Sequence, residues 1–313
     1  VSEQVNVGLV GLGTIAKTHL DVLATFPQVV LQFTVDPHVT EAPVLRGVTP
    51  PRYGDLVSAL REHRPQLIVI ATPTDTHVEL AAQAVTLSSA KVLVEKPLVH
   101  SLAALAELRA LDDADVAGRI FTAHHFAFSP EVRWAAEQMA RHPEWGPVTG
   151  ITSAFYDPYI LRGEQAFASY ISSWMDSGVN QLSVLARFVD LNELSFTQET
   201  DDKASAWSAV TYHSRGRPGT ARLRSSWLTG ASSKETTLTF GDSEVEIWID
   251  HTAMTGFTMH GTNLLSSYGN DGRIPRKIAH YRPLYESLLS DSPDPVLRFD
   301  TAASMTTIHH ATT

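Results

Sequence analysis

Val5-Asn6-Val7-Gly8-Leu9-Val10-Gly11-Leu12-Gly13-Thr14-Ile15-Ala16 is an apolar run that empties into a glycine-rich turn. The apolar half reads as a buried strand and the stretch from Thr14 onward as a helix. The turn between them has the spacing G-x-G-x-x-A. Gly11 permits the tight turn, Gly13 lets the backbone approach a pyrophosphate, and Ala16 keeps helix and strand close. Thr14 and Ile15 open the helix, whose first N–H groups lack intrahelical partners and favour a phosphate.

Working outward, short β-branched runs recur at Val29 to Val35, Leu67 to Ala71, Lys91 to Val94 and Ile120 to Ala123, with helical patterns between them. That rhythm is βαβ, which predicts a parallel sheet. Leu67-Ile68-Val69-Ile70 is apolar throughout, as a strand covered on both faces must be. Leu102, Leu105, Leu108 and Leu111 line a helix behind Ser101 as its N-cap. Residues 1–123 therefore read as a doubly wound Rossmann domain. Asp36 ends the second apolar run, where a carboxylate can accept hydrogen bonds from a ribose hydroxyl. It would repel a 2′-phosphate, and Pro37 follows where an arginine would neutralise one, so NAD is favoured over NADP. Asp36 also reads as an ordinary turn aspartate.

Ser129-Pro130 reads as a helix start, with proline at the first helical position, and the helix runs to about Arg141. After Gly146-Pro147 the periodicity falls to two, as in Ala221, Leu223, Ser225 and Trp227 and in Val245, Ile247 and Ile249. Arg217-Pro218-Gly219 and Gly241-Asp242-Ser243 are expected turns, and one helix is expected at about Ser177 to Val189. Residues 124–313 thus read as an α+β domain with an open-faced, mostly antiparallel sheet.

The 313 residues suffice for two domains. The formal net charge of −10, with basic residues scattered, excludes the footprint of a nucleic-acid binder. With no cysteine there is no disulfide, thiolate nucleophile or iron–sulfur cluster. Val1-Ser2-Glu3-Gln4 lacks a cationic segment and no apolar run reaches membrane-spanning length, so the expected setting is the cytoplasm, with no membrane partner. His251, His260, His280 and the His309-His310 pair lack ligand spacing with nearby carboxylates, and no metal site is expected.

Lys91-Val92-Leu93-Val94-Glu95-Lys96-Pro97 places a lysine at the carboxyl end of a buried strand, the edge of a parallel sheet where ligands bind. A lysine there is suited to act as a general acid/base. Gly11 to Ala16, Tyr53-Gly54-Asp55, Ala71-Thr72-Pro73 with His77, and Glu95-Lys96-Pro97 follow one another in the order of a known family. The chain resembles the Gfo/Idh/MocA oxidoreductases, which include glucose–fructose oxidoreductase and inositol dehydrogenase. The resemblance implies Lys96 beside the nicotinamide, and Thr72, Pro73, His77 and Glu95 around the cofactor.

The family commonly carries an aspartate followed four residues later by a histidine; here the stretch is Asp176-Ser177-Gly178-Val179-Asn180, with asparagine in the histidine's place. Asn180 can reach a hydroxyl but cannot shuttle a proton, which shifts the acid/base work onto Lys96. The Asp-x-Gly-x-Asn form is similar to the aldose 1-dehydrogenase branch acting on galactose or arabinose. That likeness implies His125, within His124-His125, and Asp157 as further sugar contacts. Plainer readings stand beside these: Asp176 as a helix cap, Asn180 and His125 as satisfied buried polar groups, Asp157 before Pro158 as a turn residue.

The expected activity is NAD(P)-dependent hydride transfer to or from a sugar or polyol, with Lys96, Asp176, Asn180 and His125 catalytic and Asp157 binding substrate. A keto-sugar reductase or a catalytically silent sensor are the alternatives. The exposed sheet face is expected to form a homo-oligomer, a dimer or tetramer.

Overall fold

The computed structural model describes residues 4–39, 41–111, 118–163 and 172–310. By its internal contacts the chain divides into two units, residues 1–124 with 281–306, and residues 125–280 with 307–313.

In the first unit, strands β1 (Val5–Val10), β2 (Val29–Val35), β3 (Arg52–Tyr53), β4 (Leu67–Ile70), β5 (Lys91–Val94) and β6 (Ile120–Thr122) form one sheet in the order β3-β2-β1-β4-β5-β6. Every neighbouring pair is parallel. The order reverses between β1 and β4, which makes the carboxyl edge of that pair the topological switch point where a ligand crevice opens. Helices α1 (Thr14–Leu23), α2 (Leu56–Glu62), α3 (His77–Leu87) and α4 (Leu102–Ala110) connect the strands. Asp55 and Ser101 cap α2 and α4 through side-chain bonds to Ser58 N and Ala104 N. The two-residue β3 was not expected; too short to show periodicity, it pairs Arg52 with Thr34 and Tyr53 with Val35.

A single boundary after residue 123 misses one return of the chain. Residues 281–306 group with the first unit. They comprise most of helix α7 (Arg276–Leu288) and the start of helix α8 (Phe299–His310), whose Phe299, Ala302 and Ala303 join the core formed with Ile68, Val92 and Leu105. Lys91 Nζ donates to the carbonyls of Leu288 and Ser290 at the end of α7, at 2.9 and 3.0 Å, which satisfies the exposed end of that helix.

The second unit is an eight-stranded sheet in the order β14-β13-β12-β11-β7-β10-β9-β8, formed by β7 (Val148–Tyr156), β8 (Ser195–Asp202), β9 (Ser205–Ser214), β10 (Arg217–Ser226), β11 (Ser233–Phe240), β12 (Val245–Asp250), β13 (Thr255–His260) and β14 (Asn263–Tyr268). Only β7 and β10 run parallel to each other. Helices α5 (Pro130–Arg141) and α6 (Ser173–Leu185) pack on one face, over Ile151, Phe155, Leu223 and Ile247. On the open face Trp248 and Phe257 stack at 5.5 Å, and the Arg224 guanidinium lies 4.5 Å from the half-exposed Trp207 ring.

Two sequence expectations are corrected here. Arg217-Pro218-Gly219 is strand rather than turn: the turn is Arg215-Gly216, both with positive φ (50° and 77°), as a two-residue hairpin of the mirror-image type requires. Pro218 is tolerated because pairing of β10 with β7 begins only at Thr220, so no ladder bond needs its missing N–H. Helix α6 begins at Ser173, not Ser177, because Ser172 caps it by accepting from Met175 N at 3.2 Å. Asp176 therefore sits in the first turn and is not the cap. Among the described residues no helix is long and apolar enough to cross a membrane.

Candidate functional site

The turn after β1 is built as its spacing demands. Gly11 has φ +88°, and a Cβ there would lie 2.7 Å from the Ala71 carbonyl oxygen and 2.8 Å from Thr72 Cγ2. The turns that follow β1 and β4 are thus in contact at the switch point. Gly13 differs: a Cβ there would meet nothing within 4 Å, and it caps α1 with no side-chain hydrogen bond. A glycine with open space in front of an uncapped helix start is a cradle for an anion, and a dinucleotide pyrophosphate fits it by charge and by clearance. Thr14 stands exposed in the first turn, Ile15 is partly buried, and Ala16 is buried against the sheet.

Asp36 follows β2. Its Oδ2 accepts from Leu12 N, inside the glycine turn, at 2.8 Å, and its Oδ1 accepts from His38 N and Val39 N at 2.8 and 2.9 Å. Burial acts to raise its pKa, but the N–H donors of Val39, Leu12 and His38 outweigh it and hold the carboxyl below its ordinary value. Asp36 is therefore an ionised acceptor tied directly to the cradle.

Thr72 and Pro73 lead out of β4, with Thr76 Oγ1 donating to Thr72 Oγ1 at 2.7 Å. His77 does not line open space. Its buried ring lies between the Thr72 carbonyl (3.0 Å) and those of Pro97 and Leu98 (3.1 Å each), so it ties the turn after β4 to the turn after β5. Burial lowers its pKa, although those carbonyls favour the charged ring.

Glu95 and Lys96 leave β5 together and do different things. Glu95 turns inward: Oε1 accepts from Tyr281 Oη at 2.7 Å and His19 Nε2 at 3.0 Å, and Oε2 accepts from Lys96 N at 3.1 Å. With its proton on Nε2, His19 accepts at Nδ1 from Tyr285 Oη, 2.7 Å away. Burial acts to raise the Glu95 pKa, but the hydrogen bonds from His19 and Tyr281 and the charge of Lys96 lower it; burial pushes both tyrosines well above their ordinary value. Glu95 is thus an ionised anchor under Lys96, which is partly buried at the carboxyl edge of the sheet. His19, Tyr281 and Tyr285 were not legible as partners from sequence, because they arrive from α1 and α7, far apart along the chain.

The second unit assembles its own polar set. Asp157, after β7, forms an ion pair with Lys234 Nζ at the start of β11; Lys234 is only 6% exposed. Burial lowers the Lys234 pKa while Asp157, and more weakly Asp176, favour its charged form. Tyr159 Oη donates to Asp176 Oδ2 at 3.1 Å, and the Tyr159 ring stacks on Trp227. Asn180 lies one turn beyond Asp176 and donates to its backbone carbonyl at 3.4 Å. The structure therefore brings Asp157, Asp176 and Asn180 into one neighbourhood, with Lys234 and Tyr159 as members the sequence did not reveal. His125 lies on the turn His125–Phe128, its Nδ1 3.1 Å from Nδ1 of the buried His280. Its neighbour His124 is fully buried, donates to the Val296 carbonyl at 2.8 Å, and has its pKa lowered to about 4 by burial.

Residues 5–124 match a family described as "Oxidoreductase family, NAD-binding Rossmann fold", GFO_IDH_MocA. The chain carries the NAD-binding domain of the Gfo/Idh/MocA oxidoreductases. No curated protein matches it by sequence. Solved structures of the same fold extend over its whole length. A dehydrogenase from Chromobacterium violaceum superposes with a TM-score of 0.78 at 14% identity, over 100% of this chain and 95% of that one. A myo-inositol dehydrogenase from Corynebacterium glutamicum gives 0.74 at 17%, over 98% and 94%. A 3-ketoreductase from Actinomadura kijaniata, in complex with TDP-benzene and NADP, gives 0.73 at 16%, over 99% and 97%. At these identities the likeness is one of fold. The matched stretch contains the glycine turn, Asp36 and Lys96.

Proposed function

We propose that this chain moves a hydride between a nicotinamide cofactor and a hydroxyl-bearing or carbonyl carbon of a sugar or polyol, with Lys96 as the general acid/base. The observation that carries the reading is the convergence, at one edge of one sheet, of the uncapped Gly13 cradle, ionised Asp36 and Lys96 seated on a buried carboxylate. When bound, the cofactor supplies the hydride chemistry. The protein's own residues bind, orient and move a proton. Lys96 takes the hydroxyl proton in oxidation and returns it in reduction. Gly11, Gly13, Thr14, Ile15, Asp36, Thr72 and Pro73 hold the dinucleotide, while His77 and Glu95 act by fixing the turns that carry Thr72 and Lys96.

In the second unit, Asp176, Asn180 and Asp157 are proposed to accept from and donate to sugar hydroxyls, with Lys234 holding Asp157 in place and His125 orienting the ring. Oxidation at an anomeric carbon would yield a lactone. The reverse direction, reduction of a keto-sugar with Lys96 as acid, is favoured by the occurrence of the fold in a 3-ketoreductase. The open sheet face with Trp207 and Phe257 is proposed to bury itself against a second copy of the chain.

The test is titration with NAD and with NADP, then reduced-nicotinamide absorbance with a panel of aldoses, inositols and keto-sugars. Wild type is expected to bind cofactor and turn over at least one sugar. Lys96→Met is expected to bind cofactor normally with turnover reduced by about 100-fold or more. Unchanged turnover would remove Lys96 from the mechanism, and cofactor binding without turnover across the panel would favour a sensor.

A further inference from the structure

We propose that Arg52 reads the 2′ position of the adenosine ribose and equips the site to take the 2′-phosphorylated dinucleotide as well as the unphosphorylated one. The inference rests on the dinucleotide site described above. From the sequence alone, Asp36 followed by Pro37 leaves no cation beside the ribose. Strand register supplies one from elsewhere. Pairing of Thr34 with Arg52 and Val35 with Tyr53 sets Arg52 alongside the end of β2, and its Nη1 donates to the Asp36 backbone carbonyl at 2.7 Å. Arginine carries five N–H donors in a rigid fork. One bond holds it at the residue that faces the ribose, and its remaining donors have no partner among the described residues. The side chain is exposed. An anchored, solvent-facing guanidinium is the group that pairs a phosphate bidentately.

The Asp36 carboxylate is already occupied. Three backbone N–H groups take up most of its acceptor capacity, which is about four lone-pair sites. It keeps room for one ribose hydroxyl, and its charge is met by N–H donors from two sides. The local balance is therefore one carboxylate held by backbone donors against one anchored guanidinium, which tolerates a 2′-phosphate.

The test uses the full chain in calorimetric titrations with ADP, 2′,5′-ADP, NAD and NADP, so that no substrate or turnover is needed. Wild type is expected to bind 2′,5′-ADP within about tenfold of ADP. Arg52→Ala is expected to weaken 2′,5′-ADP and NADP by about 10- to 100-fold, the loss of a charge-assisted phosphate contact, and to leave ADP and NAD within about twofold. Arg52→Lys should recover part of the loss, because a point charge cannot form the fork. Rejection of 2′,5′-ADP by wild type would overturn the proposal and show that Asp36 excludes the phosphate. Equal weakening of all four ligands would also overturn it and leave Arg52 an adenosine contact. Failure of NAD and ADP to bind at all would bring down the dinucleotide reading itself, a result distinct from either.

Discussion

The two glycines of the cradle make opposite predictions, and the contrast is the sharpest check on the site. Gly11→Ala places a methyl 2.7 Å from the Ala71 carbonyl oxygen and 2.8 Å from Ala71 C and Thr72 Cγ2, on a backbone with φ +88°. The left-handed conformation costs about 1–2 kcal/mol with a Cβ, and the overpacking against backbone adds about 1–3 kcal/mol. The expected loss is about 2–5 kcal/mol, which for a protein of this size lowers the melting temperature by about 5–15 °C. Gly13→Ala puts its methyl in open space with φ −73°, so the fold loses at most about 0.5–1 kcal/mol from a poorer helix cap. That same methyl occupies the proposed approach of the pyrophosphate, and NAD affinity is expected to fall about 10- to 100-fold. Calorimetric melting of both variants, followed by NAD titration of Gly13→Ala, measures both effects. A Gly13→Ala variant that binds NAD like wild type would refute the cradle, and a Gly11→Ala variant as stable as wild type would refute the close-contact argument.

Glu95→Gln removes the buried charge under Lys96 and is expected to cost about 1–3 kcal/mol in urea unfolding at neutral pH. Because the folded pKa of Glu95 is lowered, its contribution is complete above the usual carboxylate value of 4.5 and is lost as pH falls below it, so the variant's stability profile should be flatter there. His124 contributes an earlier acid loss. Its folded pKa of about 4 lies below the ordinary 6.5, so the stability from its neutral form is full above about pH 6.5 and declines as pH falls toward 4. The decline is worth about 3 kcal/mol, and His124→Gln, which can still donate to the Val296 carbonyl, should remove most of it. Lys234→Met leaves Asp157 without its cation and is expected to raise KM for the sugar about tenfold while NAD affinity stays unchanged; an unaltered KM would exclude the Asp157–Lys234 pair from substrate recognition.

The parts of this molecule legible in sequence are those set by local spacing. Gly11 and Gly13 announce a strand–turn–helix because the steric demand falls on adjacent residues, and the all-apolar Leu67-Ile68-Val69-Ile70 announces a central strand because both of its faces are covered. The second sheet was legible in its period of two. The helix start at Ser173 and the hairpin at Arg215-Gly216 were not, since each turns on a single capping or positive-φ residue that composition does not single out. The least legible elements are those whose partners lie far away in the chain. Tyr281 and Tyr285 carry no signal in sequence until the fold carries them to Glu95 and His19, and Lys234 carries none until β11 sets it against Asp157.

That distinction bears on Lys96. A motif that places glutamate and lysine side by side suggests two residues lining one site, yet successive residues at a strand end point to opposite sides. Glu95 points into the core and Lys96 lies at the edge. A fully buried carboxylate is costly unless its charge is met, and here the meeting groups are His19, Tyr281 and the Lys96 backbone N–H. His19 belongs to α1, the helix that begins at the Gly13 cradle, and Tyr281 and Tyr285 belong to α7. The same carboxylate therefore binds the strand that presents Lys96 to the helix whose start is the proposed pyrophosphate cradle. The position of Lys96, the proposed acid/base, relative to the Gly13 turn is fixed from below by a buried charge, and substitution of His19 or Tyr281 should disturb Lys96 chemistry without touching any group proposed to meet cofactor or sugar.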